Sequence, residues 1–224
     1  MKGIIIFTDV RSSALLFTKY SNRFVKKIYF LNKVTKYYVK KYQGLLVKQI
    51  GDSSMVYFEK NNILGALCFI ISLQKYLNEK NFSIADDNIY IRIGCSYGDM
   101  NKKREKIQGC NVIDFYGNNV NTASRLESKV SKPGGFSIYN IDIPKYIKKL
   151  PKNLKKYLDE NFVMRNKKKY DIKTFKKNKN NNNNNKIRSS KLINSITELK
   201  GAVIKNNLLF TFNPKKKIDD KIII

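Results

Sequence analysis

The sequence predicts an α/β fold, an α+β sandwich whose mixed, partly antiparallel sheet is built on a ferredoxin-like βαββαβ core. Three observations predict it. Residues 4–8 are a continuous β-branched and aromatic run, the signature of a strand covered on both faces. Apolar residues then recur at helical spacing through Leu16, Tyr20, Phe24, Ile28 and Leu31. Two short strand patterns, 45–50 and 54–58, flank Gly51-Asp52, with glycine first in a two-residue hairpin turn.

The elements follow in order. Residues 4–8 form the first strand, and 13–42 one helix that Gly44 ends. The hairpin follows, then an amphipathic helix over 63–77 and a β-branched strand over 89–96. Residues 102–108 are polar and read as an exposed loop or hairpin arm. A helix over 117–130 is stopped by Pro133-Gly134-Gly135, and 136–139 is a further strand. Residues 144–158 read as one or two short basic helices. A run of six asparagines from Asn180 to Asn185 buries too little apolar surface to fold. Residues 196–199 and 208–212 read as a terminal hairpin. The expected organisation is a core over 1–140, a basic, Asn/Lys-rich and partly disordered insertion over 141–195, a completing hairpin over 196–213 and a tail over 214–224.

The 224 residues suffice for one domain with its own core, and 42% hydrophobic content fits a globular chain. The formal net charge is +28, with lysine runs concentrated between residues 145 and 191. Such a balance attracts polyanions, but Lys, Asn and Ile are jointly abundant, as an A+T-rich genome produces without selection. There is no histidine, and Cys68, Cys95 and Cys110 form no C-x-x-C pair, so a thiolate–imidazole metal site and a histidine base are excluded. Cys68 and Cys95 read as small core residues, and three unpatterned cysteines suit a reducing compartment. The chain enters a strand at once, and its longest apolar run, 63–73, is too short to span a bilayer. The expectation is a soluble, cytoplasmic protein, or the intracellular catalytic domain of a larger one.

Phe7-Thr8-Asp9-Val10 puts a carboxylate at the end of the apolar strand, and Lys48-Gln49-Ile50-Gly51-Asp52 puts another in the hairpin turn. A strand end and a neighbouring hairpin tip can bring two carboxylates within reach of shared hard cations. Arg11-Ser12-Ser13-Ala14 leads into a helix whose first N–H groups can cradle phosphate. Tyr116-Gly117-Asn118-Asn119-Val120-Asn121-Thr122-Ala123-Ser124-Arg125 sets Asn121 and Arg125 one turn apart on one helix face. Taken singly, Asp9 suits a helix cap, Asp52 suits a turn, and an Asn and an Arg suit a solvated face. Their co-occurrence favours phosphoryl chemistry on a metal-bound nucleotide.

In this order the segments resemble the catalytic domain of class III nucleotidyl cyclases, over residues 3–140 with a weaker patch at 196–212. The resemblance implies the class III cyclase fold and these roles: Asp9, the Val10 carbonyl and Asp52 hold two Mg²⁺ or Mn²⁺ ions; Ser13 lies in the phosphate turn; Asn121 orients the ribose; Arg125 stabilises charge on the α-phosphate. Lys48 and Asp114 occupy the family's purine-choosing positions. Lysine donates to adenine N1 and aspartate accepts from the exocyclic amine, whereas guanine presents the reverse pattern, so the implied substrate is ATP. Lys200 matches a phosphate-contacting lysine, across the insertion; the alternative is an ordinary surface lysine. The family builds its site between two subunits, and this chain holds both halves, which implies a homodimer with two equivalent sites.

The expected activity is therefore that of an adenylyl cyclase, with a guanylyl cyclase or a catalytically silent, dimerising relative as the alternatives. Ala14 replaces a common hydroxyl residue, and Ser53 stands where glycine is frequent. A polymerase or a diguanylate cyclase also places two carboxylates on such a sheet, but leaves the Asn-x-x-x-Arg helix unexplained. A nucleic-acid partner is not expected, because Tyr29, Phe30, Tyr37 and Tyr38 read as core residues rather than stacking platforms. Membrane contact is expected only through the basic insertion.

Overall fold

The computed structural model describes residues 1–167 and 208–215. Strand β1 (Lys2–Val10) lies at the centre, and Ile4, Ile5 and Ile6 are fully buried because both faces of the strand are covered. Helices α1 (Ser13–Tyr20) and α2 (Asn22–Lys41) lead to the hairpin of β2 (Leu45–Ile50) and β3 (Ser53–Glu59). Helix α3 (Ile63–Glu79) and the two-residue strands β4 (Ser83–Ile84) and β5 (Asp87–Asn88) precede β6 (Ile91–Asp99). A second hairpin, β7 (Asn101–Ile107) and β8 (Cys110–Tyr116), stands apart as its own two-stranded sheet. Helix α4 (Asn118–Arg125) continues into a π-helical turn, Leu126–Val130. Strand β9 (Phe136–Tyr139), α5 (Ile143–Ile147), α6 (Lys152–Asn161), β10 (Phe162–Lys167) and β11 (Leu209–Pro214) complete the described chain.

The main sheet runs β10-β11-β9-β6-β1-β3-β2. Its stretch β6-β1-β3-β2, all antiparallel, has the strand order of a ferredoxin-like core, and the parallel β6–β9 pair makes the sheet mixed. One face packs Ile4, Ile6, Val56, Phe58, Ile93 and Cys95 beneath α2 and α3. The other face packs Ile5, Met55 and Tyr57 against Met100, Phe115 and Ala123, with Phe115 stacked on Tyr57 at 4.5 Å. That face is less completely covered: Phe7, Leu45, Val47, Ile113 and Val120 are only partly buried.

The seat of α4 is cut by small residues. Gly94, Ser96 and Gly98 share one face of β6. A Cβ at Gly94 would stand 2.2 Å from both the Ala123 carbonyl and the Glu127 amide, and one at Gly98 would stand 3.0 Å from Asn119 Oδ1. Between them Ser96 Oγ donates to Asn119 Oδ1 at 2.5 Å. The helix therefore lies directly on the strand, burying Asn119, Thr122 and Ala123 and leaving Asn121 and Arg125 exposed.

Two expectations are corrected, and one strand is added. The helix over 13–42 is two helices, broken at Ser21 (φ 43°), whose N–H bonds the Phe17 carbonyl at 2.7 Å. A straight helix of that length would run about 45 Å. Tyr29, Phe30 and Tyr37 are not core: they are 65%, 37% and 59% exposed, because the buried stripe of α2 runs through Phe24, Leu31, Thr35 and Val39. Tyr38 packs as a partly buried residue against the core, and Phe30 rests at its edge on the Tyr76 and Phe82 rings. Residues 110–116 form β8, the partner of the arm expected over 102–108; Gln108 and Gly109, both at positive φ, make the tight turn between them. The segment 141–167 carries α5, α6 and β10, and β11 pairs with both β10 and β9. The asparagine run and residues 196–199 lie outside the described residues.

Candidate functional site

Asp9 and Asp52 meet at one end of the central strands. The β1–β3 register carries Asp9 to the level of Ser53, next to the Gly51-Asp52 turn, where Gly51 takes φ +60°. Asp52 Oδ2 accepts the Val10 N–H at 3.3 Å. Burial raises the Asp52 carboxyl above its ordinary range, and the neighbouring Asp9 charge adds to it, while the Ser13 hydroxyl and the Val10 N–H pull the other way. Ser13 thus stands in the first turn of α1 beside Asp52, and that turn contains no acidic residue to repel an anion. A groove of about 530 Å³ opens beside them, with Ser13, Gly51 and Asp52 at its polar end and Phe17, Phe24 and Ile28 along its apolar wall.

Three residues that sequence reasoning left without a role complete the carboxylate cluster. Arg92 lies opposite Asp9 in the β1–β6 register, and its Nη2 stands 2.9 Å from Asp9 Oδ2 and 3.0 Å from Glu127 Oε1. The Glu127 contact is ionic rather than a hydrogen bond, since it lies off the N–H direction. Arg92 Nη1 also donates to the Ser128 carbonyl at 3.2 Å. Ser53 Oγ donates a short hydrogen bond to Asp9 Oδ1, so the residue found in place of glycine holds the carboxylate. Glu127 is pushed up to about 7, first by burial and then by Asp9 and Asp52, against the pull of Arg92. Two signals were present: an arginine on the same strand face as Gly94, and a glutamate four residues past buried Ala123.

The second cluster lies on the same sheet face. Lys48 on β2 pairs with Met55, whose neighbours on that face are Ser53 and Tyr57. Its Nζ stands 2.6 Å from Asp114 Oδ2 on β8, and Asp114 Oδ1 accepts the Phe115 N–H at 2.8 Å. Burial alone would raise the Asp114 carboxyl; the hydrogen bonds from Lys48 and Phe115 outweigh it and hold it below its ordinary range. Asn121 and Arg125, a turn apart on the open side of α4, form a third group. Lys200 lies outside the described residues.

The donor set at Asp9 and Asp52 fits hard divalent cations. It is all oxygen, and each Asp9 oxygen carries one hydrogen bond, leaving lone pairs for a metal. Among the described residues no group of three His, Cys, Asp or Glu side chains is placed to hold a metal, so further ligands must be backbone or substrate oxygens.

Comparison with known proteins bears on family and fold. The family model of the adenylate and guanylate cyclase catalytic domain matches residues 3–183. No curated protein sequence matches significantly. Among solved structures, the adenylyl cyclase CyaB from P. aeruginosa aligns at TM-score 0.61 and 16% identity, covering 96% of this chain and 95% of its own. The guanylate cyclase domain of RhGC from Catenaria anguillulae, in complex with GTP, aligns at TM-score 0.60 and 17% identity, covering 96% and 97%. The non-canonical dimeric guanylyl cyclase domain of the RhoGC fusion protein from the aquatic fungus Blastocladiella emersonii aligns at 0.54 and 20%, covering 74% and 88%. At these identities the structural likeness speaks to the fold, and the family model to kinship. Domains of this kind bind a nucleotide substrate, generally depend on divalent metal and often dimerise. With its match running through the strand of Asp9, the turn of Asp52 and the helix of Asn121 and Arg125, the chain belongs to the class III adenylyl and guanylyl cyclases and carries their catalytic domain.

Proposed function

We propose that this domain is an adenylyl cyclase, converting ATP to 3′,5′-cyclic AMP and pyrophosphate at sites formed between two copies of the chain. One observation carries the base assignment: the Lys48–Asp114 pair, 2.6 Å apart and partly open to solvent. Lys48 offers N–H donors to adenine N1, and Asp114, kept ionised by its partners, accepts from the exocyclic amine. Guanine would turn its N1–H toward the ammonium and O6 toward the carboxylate, leaving both unpaired. A site that buries unpaired polar groups with the wrong base discriminates strongly against it.

In the reaction the ribose 3′-oxygen loses its proton and bonds to the α-phosphorus, while the bond from that phosphorus to the β-phosphate oxygen breaks. Asp9, Asp52 and the Val10 carbonyl would hold the divalent cations, with Mg²⁺ or Mn²⁺ as the candidates. Bound there, such ions lower the pKa of the 3′-hydroxyl and neutralise the triphosphate. Arg92 and Ser53 hold the Asp9 carboxylate in one orientation. Ser13 and the first N–H groups of α1 receive phosphate oxygens. Asn121 orients the ribose, and Arg125 offsets charge growing on the α-phosphate. Both lie on the open side of α4, suited to reach a partner's nucleotide, and the half-covered apolar face of Phe7, Val47, Ile113 and Val120 suits a second copy.

The test is product formation by the purified chain with ATP or GTP, in Mg²⁺ and separately in Mn²⁺. Cyclic AMP from ATP, absent in Asp52→Ala, supports the proposal. Cyclic GMP from GTP would overturn the base assignment and leave the family intact. No product from a verified dimer would favour the silent relative.

A further inference from the structure

All ten charged side chains between Val10 and Gly51 are basic, and no aspartate or glutamate interrupts them. Helix α2 gathers most of them on its outward side. Arg23, Lys26, Lys33, Lys36, Lys40 and Lys41 are exposed, and among the described residues none pairs with a carboxylate. Tyr29 and Tyr37 rise among them, at 65% and 59% exposure, while Phe30, 37% exposed, leans on the Tyr76 and Phe82 rings. The spacing 26, 29–30, 33, 36–37, 40 returns every three or four residues, so cations and rings alternate along one ridge. Over the 20 residues of α2 that ridge is about 30 Å long. Lys41 Nζ lies 5.9 Å from the Tyr37 ring and 5.7 Å from the Tyr42 ring, so charge and aromatic surface sit side by side.

We propose that the outward face of α2 docks on an anionic lipid bilayer. The charge is complementary to acidic headgroups, and each lysine can reach down on its aliphatic stem while the ammonium stays wet. Tyrosine and phenylalanine suit the headgroup level, where an apolar body and a polar tip are both satisfied. Of the three rings Tyr29 lines the groove beside Asp52, whereas a single-stranded nucleic acid needs a groove that tracks its backbone along a whole row of stacking rings. The surface lies on the helical side of the sheet, opposite the face that carries Lys48 and Asp114, so docking is independent of the base assignment.

The test is vesicle co-sedimentation of the full chain, with phosphatidylcholine alone and with roughly a third phosphatidylserine. Sedimentation with the acidic vesicles only, lost on raising salt well above the physiological range, is expected. At about fivefold per lysine, Lys33→Gln/Lys36→Gln/Lys40→Gln should weaken binding on the order of a hundredfold. Tyr29→Ser/Tyr37→Ser should weaken it about tenfold. These side chains are exposed, so both variants should keep the wild-type melting temperature. Unchanged binding by both variants, equal binding to neutral vesicles, salt-insensitive binding, or retention of duplex DNA or RNA with no vesicle binding would each overturn the proposal.

Discussion

Replacing Glu127 with Gln should remove a pH-dependent contribution to stability. Glu127 is 7% exposed, and its carboxyl is pushed from 4.5 up to about 7, mainly by burial, with Arg92 3.0 Å away opposing the shift. A carboxyl with a higher pKa in the folded than in the unfolded chain binds its proton more tightly when folded. Its contribution is complete below about pH 4.5 and is lost as pH rises through about 7. That shift, at 1.36 kcal/mol per unit, corresponds to about 3 kcal/mol. The assay is urea unfolding with a chelator present, followed by far-UV circular dichroism because the chain has no tryptophan. The wild type minus Glu127→Gln difference in unfolding free energy should fall by about 3 kcal/mol between about pH 4.5 and about pH 8. A difference that stays constant with pH would refute the reasoning, because it would mean that Glu127 has the same pKa in the folded and the unfolded chain.

Arg92→Met leaves Asp9 with Ser53 alone and should cost about 10- to 100-fold in activity, with a raised divalent-cation requirement that Arg92→Lys partly restores; a metal titration of turnover reads both. Gly94→Ala forces a methyl group to within 2.2 Å of the Ala123 carbonyl and the Glu127 amide, and should destabilise the fold by at least about 1–3 kcal/mol in urea unfolding. Asp52→Ala and Arg125→Ala chains should each be inactive and folded. Mixed in equal amounts they should recover about a quarter of wild-type turnover, since half the dimers then hold one intact site of two; no recovery in verified mixed dimers would count against shared sites. Lys48→Glu/Asp114→Cys should move preference from ATP toward GTP in competition assays of cyclic product, and an unchanged ratio would remove the pair from base choice.

The parts of the fold that read directly from sequence are those whose burial pattern has one period. Residues 4–8 and 63–73 are almost wholly apolar because both strand faces, and nearly every face of that part of α3, are covered. The α1–α2 break was hidden because one residue, Ser21, takes it up in a positive φ, while the apolar spacing continues across it. Strand β8 was hidden for the opposite reason. It belongs to a separate two-stranded sheet, most of its side chains are exposed, and it shows no alternation. Asp9, Asp52, Lys48 and Asp114 were legible from local motifs, and the structure brings them into two clusters. Arg92 carried one sequence signal, its place on the same strand face as Gly94, but its partnership with Asp9 exists only in the β1–β6 register, 83 residues apart.

That hidden partnership bears on the metal. Arg92 pairs with Asp9 and Glu127, and Asp52 is electrostatically coupled to both carboxyls, so these three carboxylates and one guanidinium, fully ionised, are two charges negative. One divalent cation restores neutrality, whereas a proton on Glu127 removes only half of the excess. Cation and proton therefore compete for the same imbalance, although they bind to different oxygens. A cation held by Asp9 and Asp52 should lower the proton affinity of Glu127, so that metal uptake near pH 7 expels a fraction of a proton. Calorimetry of Mn²⁺ binding in buffers of different ionisation enthalpy would read this directly. The wild type should release more protons than Glu127→Gln, and equal release by the two would show that Glu127 does not sense the metal.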